Sequence, residues 1–588
     1  MTDKNSFWNR CSDFYVRYEY ASVLSIILIW QIILLSYSDG RFIETDAYTH
    51  AMRLMDFIQS GSWREVLYMH DNCPFGQMLH FTRITDMFLY LTTLPFLPFM
   101  ELKRAVLFGG FLYNPVIACL SAAALIWTGK AFCSPAIRLT GVLAYFFILP
   151  AVPPLFLAGR PDHHVLLNLF LILISGCLTY GAKTQKTAYY KVAGIFAGLA
   201  VWTTAEGFLV CLFLFAGMVS AWLIRCQNIR QIRFFSQFLF ITTTVCWLVN
   251  PPMQGLFHPD NSRLSVFTAV IFGFSFLSFY AEELLNREKR IRSFFGRLSS
   301  LSVLAFFCFG CALFLFGEDT FFSSPFPPEI FDIWAKDLSE FQPASRQILY
   351  PFLFAVLMAL SAFFPAVPHF RKLLLTNGFP LLMFILLALI SKRFERPACV
   401  YAVFIINHSL QIFCNRFPFL KHRFTVICWI GLNITFLVWS FPYFHLDHII
   451  IEKGSNNDFE KILPYLSEKN GCILTINTLG PSMAWNTGKA VIGSPYYSNV
   501  EGIVDNFNIF NSTDFDEVQN LLKKHTVSTL VLPNLKYSFT SATTFPEKLV
   551  SGREAFCFVK PVTNIPEEIK EKNLIYHIDF EACEKNDK

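Results

Sequence analysis

Charged side chains are scarce in this sequence. Only 15% of its 588 residues are Asp, Glu, Lys or Arg, where a soluble domain carries about 25%. That shortage excludes a soluble enzyme of ordinary kind. With 54% hydrophobic residues, disorder is excluded too. The net charge of +5 is small for this length, so no nucleic-acid partner is expected. No internal repeat or low-complexity stretch is present, and no small-residue cleavage pattern follows the first apolar run. Cysteine in polar surroundings is equally rare. Of sixteen Cys, those at Cys119, Cys177, Cys211, Cys246, Cys308, Cys311, Cys414 and Cys428 lie in apolar runs, where they act as small hydrophobes. The Cys308-x-x-Cys311 pair is therefore not read as a redox or zinc motif. Only Cys73, Cys472, Cys557 and Cys583 fall in polar segments open to oxidation.

What fills the sequence is apolar surface: 67 Phe, 17% aromatic residues and a mean hydropathy of +0.43. A membrane span needs roughly 20 mostly apolar residues. Thirteen runs qualify or come close: 21–38, 105–127, 139–158, 165–182, 189–205, 207–224, 235–250, 264–281, 300–317, 348–364, 373–390, 398–415 and 424–441. The first, preceded by Lys4, Arg10 and Arg17, reads as an uncleaved signal anchor. The run 86–100, with Pro95 and Pro98, is too short to span and reads as interfacial or re-entrant. With the N-terminus in the cytoplasm, every cytoplasmic loop is basic, as the positive-inside rule requires. Lys130 to Arg138, Arg225 to Arg233 and Arg287 to Arg297 are examples.

The other side receives loops 39–104, 159–164, 318–347 and 391–397 and everything after 441. Residues 1–447 thus read as a polytopic α-helical membrane domain. Residues 448–588 have higher charge density and strand-length apolar runs at 472–476, 490–492, 529–532, 555–559 and 574–578. A helical pattern over 514–525 lies among them. This portion reads as an external α/β domain. The localisation that follows is an integral, multi-pass protein, expected in the bacterial inner membrane with its site on the periplasmic face.

Four external stretches carry residues suited to chemistry. Glu44 and Asp46 stand two apart just beyond the first span, and paired carboxylates there suit a hard divalent cation. The alternative is a solvated loop or a helix cap before the helical pattern from Tyr48 to Gln59. Asp162, His163 and His164 offer a carboxylate and imidazoles to manganese, magnesium or zinc; the alternative for Asp162 is again a helix cap. The long loop 318–347 ends in Leu338-Ser339-Glu340-Phe341-Gln342-Pro343 and is long enough for a lid. Lys392, Arg393 and Arg396 put three basic residues in an external loop, against the topological trend. An anionic partner such as a lipid phosphate explains them, because Arg holds phosphate oxygens through a planar fork. Interfacial anchoring to headgroups explains them as well.

In their order, these stretches resemble the GT-C glycosyltransferases, and most closely the catalytic subunit of oligosaccharyltransferase. Thr45-Asp46-Ala47-Tyr48 is similar to that family's first acidic motif. Asp162-His163-His164 is similar to the Asp-x-His form of the second, Leu338 to Pro343 to the glutamate motif, and Lys392-Arg393-Phe394 to the arginine motif. The resemblance implies about thirteen spans with a C-terminal external domain, and a polyprenyl-phosphate- or pyrophosphate-linked sugar donor. It implies a divalent metal (Mn or Mg) on Asp46, Asp162 and His164, and Arg393 at the leaving phosphate. Asp46 or Glu340 would orient the acceptor nucleophile, and transfer would invert the anomeric carbon. Glu44, His163 and Arg396 are accessory candidates. One motif departs. Where the family carries Trp-Trp-Asp-Tyr-Gly to read a protein sequon, this chain has Thr478 to Gly488 without it. The acceptor therefore stays open among glycan, lipid and protein. Pro495 to Asn499 with Glu501 and Gly502 offer an acceptor groove or a plain strand-to-helix turn. Two rival functions are a transporter or flippase for a lipid-linked substrate and a non-catalytic glycan-binding relative. The missing repeats and the clustering of acidic groups at one surface weigh against transport.

Overall fold

The structure is a computed structural model describing residues 16–36, 38–64, 67–149, 151–287, 293–322, 328–331, 333, 338–344, 368–416, 459–533, 543–552 and 555–584. The chain forms two compact units. One comprises Met1–Arg41, Phe81–Ser323 and Ser339–His445; the other comprises Phe42–His80, Ser324–Leu338 and Leu446–Lys588.

The first unit is helical. Among the described residues, eight helices are long and apolar enough to cross a bilayer: Glu19–Ser36, Leu102–Gly129, His163–Thr184, Ala205–Leu223, Ile229–Val249, Val266–Asn286, Phe294–Phe322 and Arg371–Ala388. The chain is an integral multi-pass membrane protein. Helices Thr187–Thr203 and Glu395–Arg416 overlap two further expected spans. The runs 348–364 and 424–441 lie outside the described residues, so the count of thirteen remains an expectation. One expected span is corrected. Over 139–158 the helix Pro135–Leu143 passes into a π turn at Ala144–Ile148 and stops, and Pro153–Phe156 forms a separate 3-10 turn. Pro150, Pro153 and Pro154 are the physical reason, since each lacks the N–H that a continuing helix would use. The run 86–100 is helical only over Arg83–Thr93, eleven residues or about 16 Å. That is half of a bilayer core.

Side chains facing outward on these helices are apolar, as lipid demands. On Phe294–Phe322, Phe314 is 89% exposed, and Phe306 and Phe307 are exposed as well. Buried Glu19 accepts two bonds from Arg138, at 2.6 and 2.9 Å, which pins the first helix to helix Pro135–Leu143.

The second unit is α/β. Its four strands are β1 Cys472–Leu474, β2 Val527–Pro533, β3 Val559–Pro561 and β4 Asn573–Ile578, in sheet order β1-β2-β4-β3. β1 and β2 are parallel; β4 runs antiparallel to both β2 and β3. A parallel pair needs a long crossover, supplied here by helices Gly480–Thr487, Val500–Asn511 and Phe515–Lys524. Asp514 starts the last of these by accepting from the N–H groups of Asp516 and Glu517, and Lys523 and Lys524 close it, favourably aligned with its dipole. The core is built from Leu474, Ile492, Ile509, Leu522, Leu530 and Phe545, among others. The run 490–492 contributes only a bridge, Val491 to Ile473, and the strand expected at 555–559 begins at Val559 instead.

Residues 42–80 are an integral part of this unit. Cys73 is disulfide-bonded to Cys472 across 399 residues, and Cys557 to Cys583. These are the four cysteines of the polar segments; Cys308 and Cys311 are free thiols. Beside the first disulfide, Asp71 is 1% exposed. Its Oδ1 accepts from Asn72 N at 2.8 Å and from Asn499 Nδ2 at 3.0 Å. Its Oδ2 accepts from Gln77 Nε2 and Ser494 Oγ. Burial outweighs these bonds and pushes the Asp71 carboxyl up to about 7.

Candidate functional site

The turn before helix His163–Thr184 is set by Gly159. Its φ is +78°, and a Cβ there would lie 2.7 Å from Phe111 and 2.9 Å from the Arg41 carbonyl. The chain leaves this turn through Arg160 and Pro161, and Asp162 caps the helix, Oδ1 accepting from His164 N at 3.1 Å. The capping alternative is thus realised, but it occupies one oxygen. Asp162 is fully buried, and among the described residues Oδ2 accepts no hydrogen bond; Arg160 Nη2 is 3.7 Å away. His163 Nδ1 lies 3.0 Å from Oδ1, and the His163 and His164 rings are 4.2 Å apart. One ligand-capable atom from each of Asp162, His163 and His164 falls within 4.8 Å of the others. Burial opposes ionisation of Asp162, but His164, His163 and Arg160 together hold its carboxyl well below the usual range. A buried carboxylate whose neighbours favour its charged form, with one oxygen that accepts no hydrogen bond among the described residues, beside two imidazoles, fits a divalent ion of the Mn, Mg or Zn kind.

Glu340 and Arg393 sit on two short 3-10 turns, Ser339–Phe341 and Lys392–Phe394. The turns are laced together by backbone. Lys392 N donates to Gln342 O at 2.8 Å, Ala344 N to Ala388 O at 3.0 Å, and Ser391 Oγ to Glu340 O at 2.8 Å. Arg396 donates to Glu340. Burial works against the Glu340 charge, yet Arg396 first and Arg393 second hold its carboxyl below the ordinary value; Asp162 and Arg160 act on it too. Residues of the loops 159–164, 318–347 and 391–397 therefore converge on one electrostatic cluster within the first unit. Arg393 donates to Glu206, in the first turn of Ala205–Leu223, and its guanidinium lies 5.6 Å from the Phe341 ring centre.

Glu44 and Asp46 belong to the second unit. Helix Thr45–Ser60 takes Glu44 as its cap residue, with no side-chain cap bond, so Asp46 stands inside the first turn and is not the cap. Thr49, one turn on, hydrogen-bonds Tyr496 at 2.8 Å. Burial and then the Asp46 carboxylate push the Tyr496 phenol well above its usual range. Residues 495–499 are a turn into helix Val500–Asn511, whose cap is Asn499. His80 and Tyr497 stack there at 4.5 Å.

Sequence reasoning missed Glu206 as the partner of Arg393, Arg160 beside Asp162, and the Asp71 network. A lone acid in an apolar hairpin was the available signal for Glu206.

No protein-family model matches the sequence, and no curated protein does. Solved structures do. The chain is similar to the archaeal oligosaccharyltransferase AglB from Archaeoglobus fulgidus in complex with an inhibitory peptide and a dolichol-phosphate. The TM-score is 0.66 at 13% identity, over 93% of this chain and 73% of that one. It is similar to the A. fulgidus oligosaccharyltransferase tethered to an acceptor peptide containing the NVT sequon, with TM-score 0.65, 14% identity and 94% and 74% covered. It is also similar to the same enzyme in complex with Zn and sulfate, with TM-score 0.59, 14% identity and 95% and 73% covered. The fold is that of an oligosaccharyltransferase-like GT-C protein.

Proposed function

We propose that this chain is a metal-dependent, inverting membrane glycosyltransferase. It takes a sugar or oligosaccharide from a polyprenyl-phosphate or pyrophosphate carrier and transfers it to an acceptor outside the cytoplasm. The observation that carries this reading is the convergence of Asp162, His163 and His164 with Glu340, Arg393 and Arg396 from three separate loops. In the solved neighbours, this fold accompanies dolichol-phosphate and an acceptor peptide. The two disulfides of the second unit support an oxidising, non-cytoplasmic compartment.

Asp162 and His164 would hold a divalent ion. Such an ion, when bound, neutralises charge on a leaving phosphate. Arg393 would bind the phosphate oxygens, and Arg396 keeps Glu340 ionised and oriented. Glu340 would accept a hydrogen bond from the acceptor nucleophile and take its proton as the new bond to the anomeric carbon forms. The anomeric carbon–oxygen bond to phosphate breaks on the opposite face. The absence of the sequon-reading motif favours an acceptor other than a protein sequon.

The test separates ligand from cap. Chelation should abolish transfer, and manganese or magnesium should restore it. Asp162→Ser keeps a capping oxygen and removes the carboxylate, so it should be folded and inactive. Full activity in a strong chelator would remove the metal from the mechanism.

A further inference from the structure

Glu206 has a place in the site that its sequence context hides. It stands two residues after Thr204, the single residue between helices Thr187–Thr203 and Ala205–Leu223, and Thr204 Oγ1 accepts from Glu206 N at 3.2 Å. Gly207 locks this corner, because a Cβ there would fall 2.2 Å from the Ala200 carbonyl. The backbone carrying Glu206 therefore has little room to shift. Its side chain is 8% exposed, one oxygen is bonded to Arg393, and among the described residues Oε2 accepts no hydrogen bond. A buried carboxylate in such apolar surroundings is costly unless paired, so it holds Arg393 firmly. A guanidinium has five N–H donors, so a bond to Glu206 is compatible with a phosphate contact. The Phe341 ring, on the turn that carries Glu340, packs against the same guanidinium.

We propose that Glu206 is the positioning residue of the donor-phosphate site, fixing the guanidinium of Arg393 in the orientation that receives the carrier-lipid phosphate. The inference rests on the glycosyltransferase reading above. It gives Arg393→Ala two effects at once: loss of a phosphate contact and a stranded carboxylate at Glu206.

The experiment is binding of dolichol phosphate to the purified full chain in detergent, with thermal stability recorded for every variant. Arg393→Ala should weaken binding about ten- to hundredfold and Arg393→Lys less, since a point charge replaces the fork. Glu206→Ala should weaken binding about tenfold. Glu206→Gln, which keeps the acceptor oxygen, should stay within about threefold of wild type. Placed on Arg393→Ala, Glu206→Ala should change affinity less than about twofold, because its route to the lipid is already gone. If Glu206→Ala aggregates, Glu206→Asp serves: it keeps the charge, withdraws the oxygen by one methylene, and should also weaken binding. Wild-type affinity in the Ala or Asp variant, or an equal loss with and without Arg393, overturns the proposal and leaves the functional reading standing. A wild-type protein that does not bind dolichol phosphate removes that reading and the inference with it.

Discussion

Replacing Asp71 by Asn should flatten the pH dependence of this protein's stability. Asp71 is buried, and its carboxyl is pushed up to about 7, whereas an unfolded chain gives about 3.9. The folded state therefore binds this proton more tightly than the unfolded state does. The resulting stability is fully present below the unfolded value and is lost as pH rises through about 7. Between pH 5 and 7 the slope approaches 1.4 kcal/mol per pH unit, or about 2–3 kcal/mol over the interval. The Asn variant does not titrate. It keeps the Oδ1 bonds from Asn72 and Asn499 but sets an amide N–H against Gln77 Nε2. That conflict costs about 1–3 kcal/mol at low pH. Thermal unfolding in detergent at pH 5, 6, 7 and 8 measures both effects. The variant should be less stable than wild type at pH 5, and the gap should narrow or close by pH 8. Parallel curves for the two proteins would refute the argument, since they would mean that Asp71 does not titrate in this range.

Two further outcomes follow from the first unit and from the sequence. Arg396→Ala removes the strongest influence lowering the Glu340 carboxyl, so the acid limb of the pH–rate profile should move to higher pH; an unmoved limb would take Glu340 out of the proton transfer. A reporter active only outside the cytoplasm should be active when fused after Asp447 and silent after Arg292. The reverse pattern would invert the topology that the basic loops imply.

The sequence displayed those parts of the protein whose signal is local. Asp162, His163 and His164 are adjacent, so their clustering needed no fold to be seen. Asp514 before an apolar period announced the helix Phe515–Lys524. Apolar length announced most membrane helices, and it failed over 139–158, where Pro150, Pro153 and Pro154 outweigh hydropathy. Pairings across hundreds of residues were not legible. Four cysteines in polar segments signalled oxidation, but nothing in their spacing joined Cys73 to Cys472 and hence residues 42–80 to the C-terminal sheet. Basic residues at 392–396 signalled an anion. That Arg393 meets Glu206 and Arg396 meets Glu340 depends on where the hairpin and the two 3-10 turns come together in the fold.

The most direct measurement of the central claim compares cells carrying wild-type protein with cells carrying Asp162→Ser at matched expression. Mass spectrometry of their glycolipids, polysaccharides and glycoproteins follows both sides of the reaction. A glycosyltransferase of this kind should lose one glycan-bearing product in the variant and accumulate the corresponding polyprenyl-linked sugar. Identical glycolipid, polysaccharide and glycoprotein profiles in the two strains would contradict it.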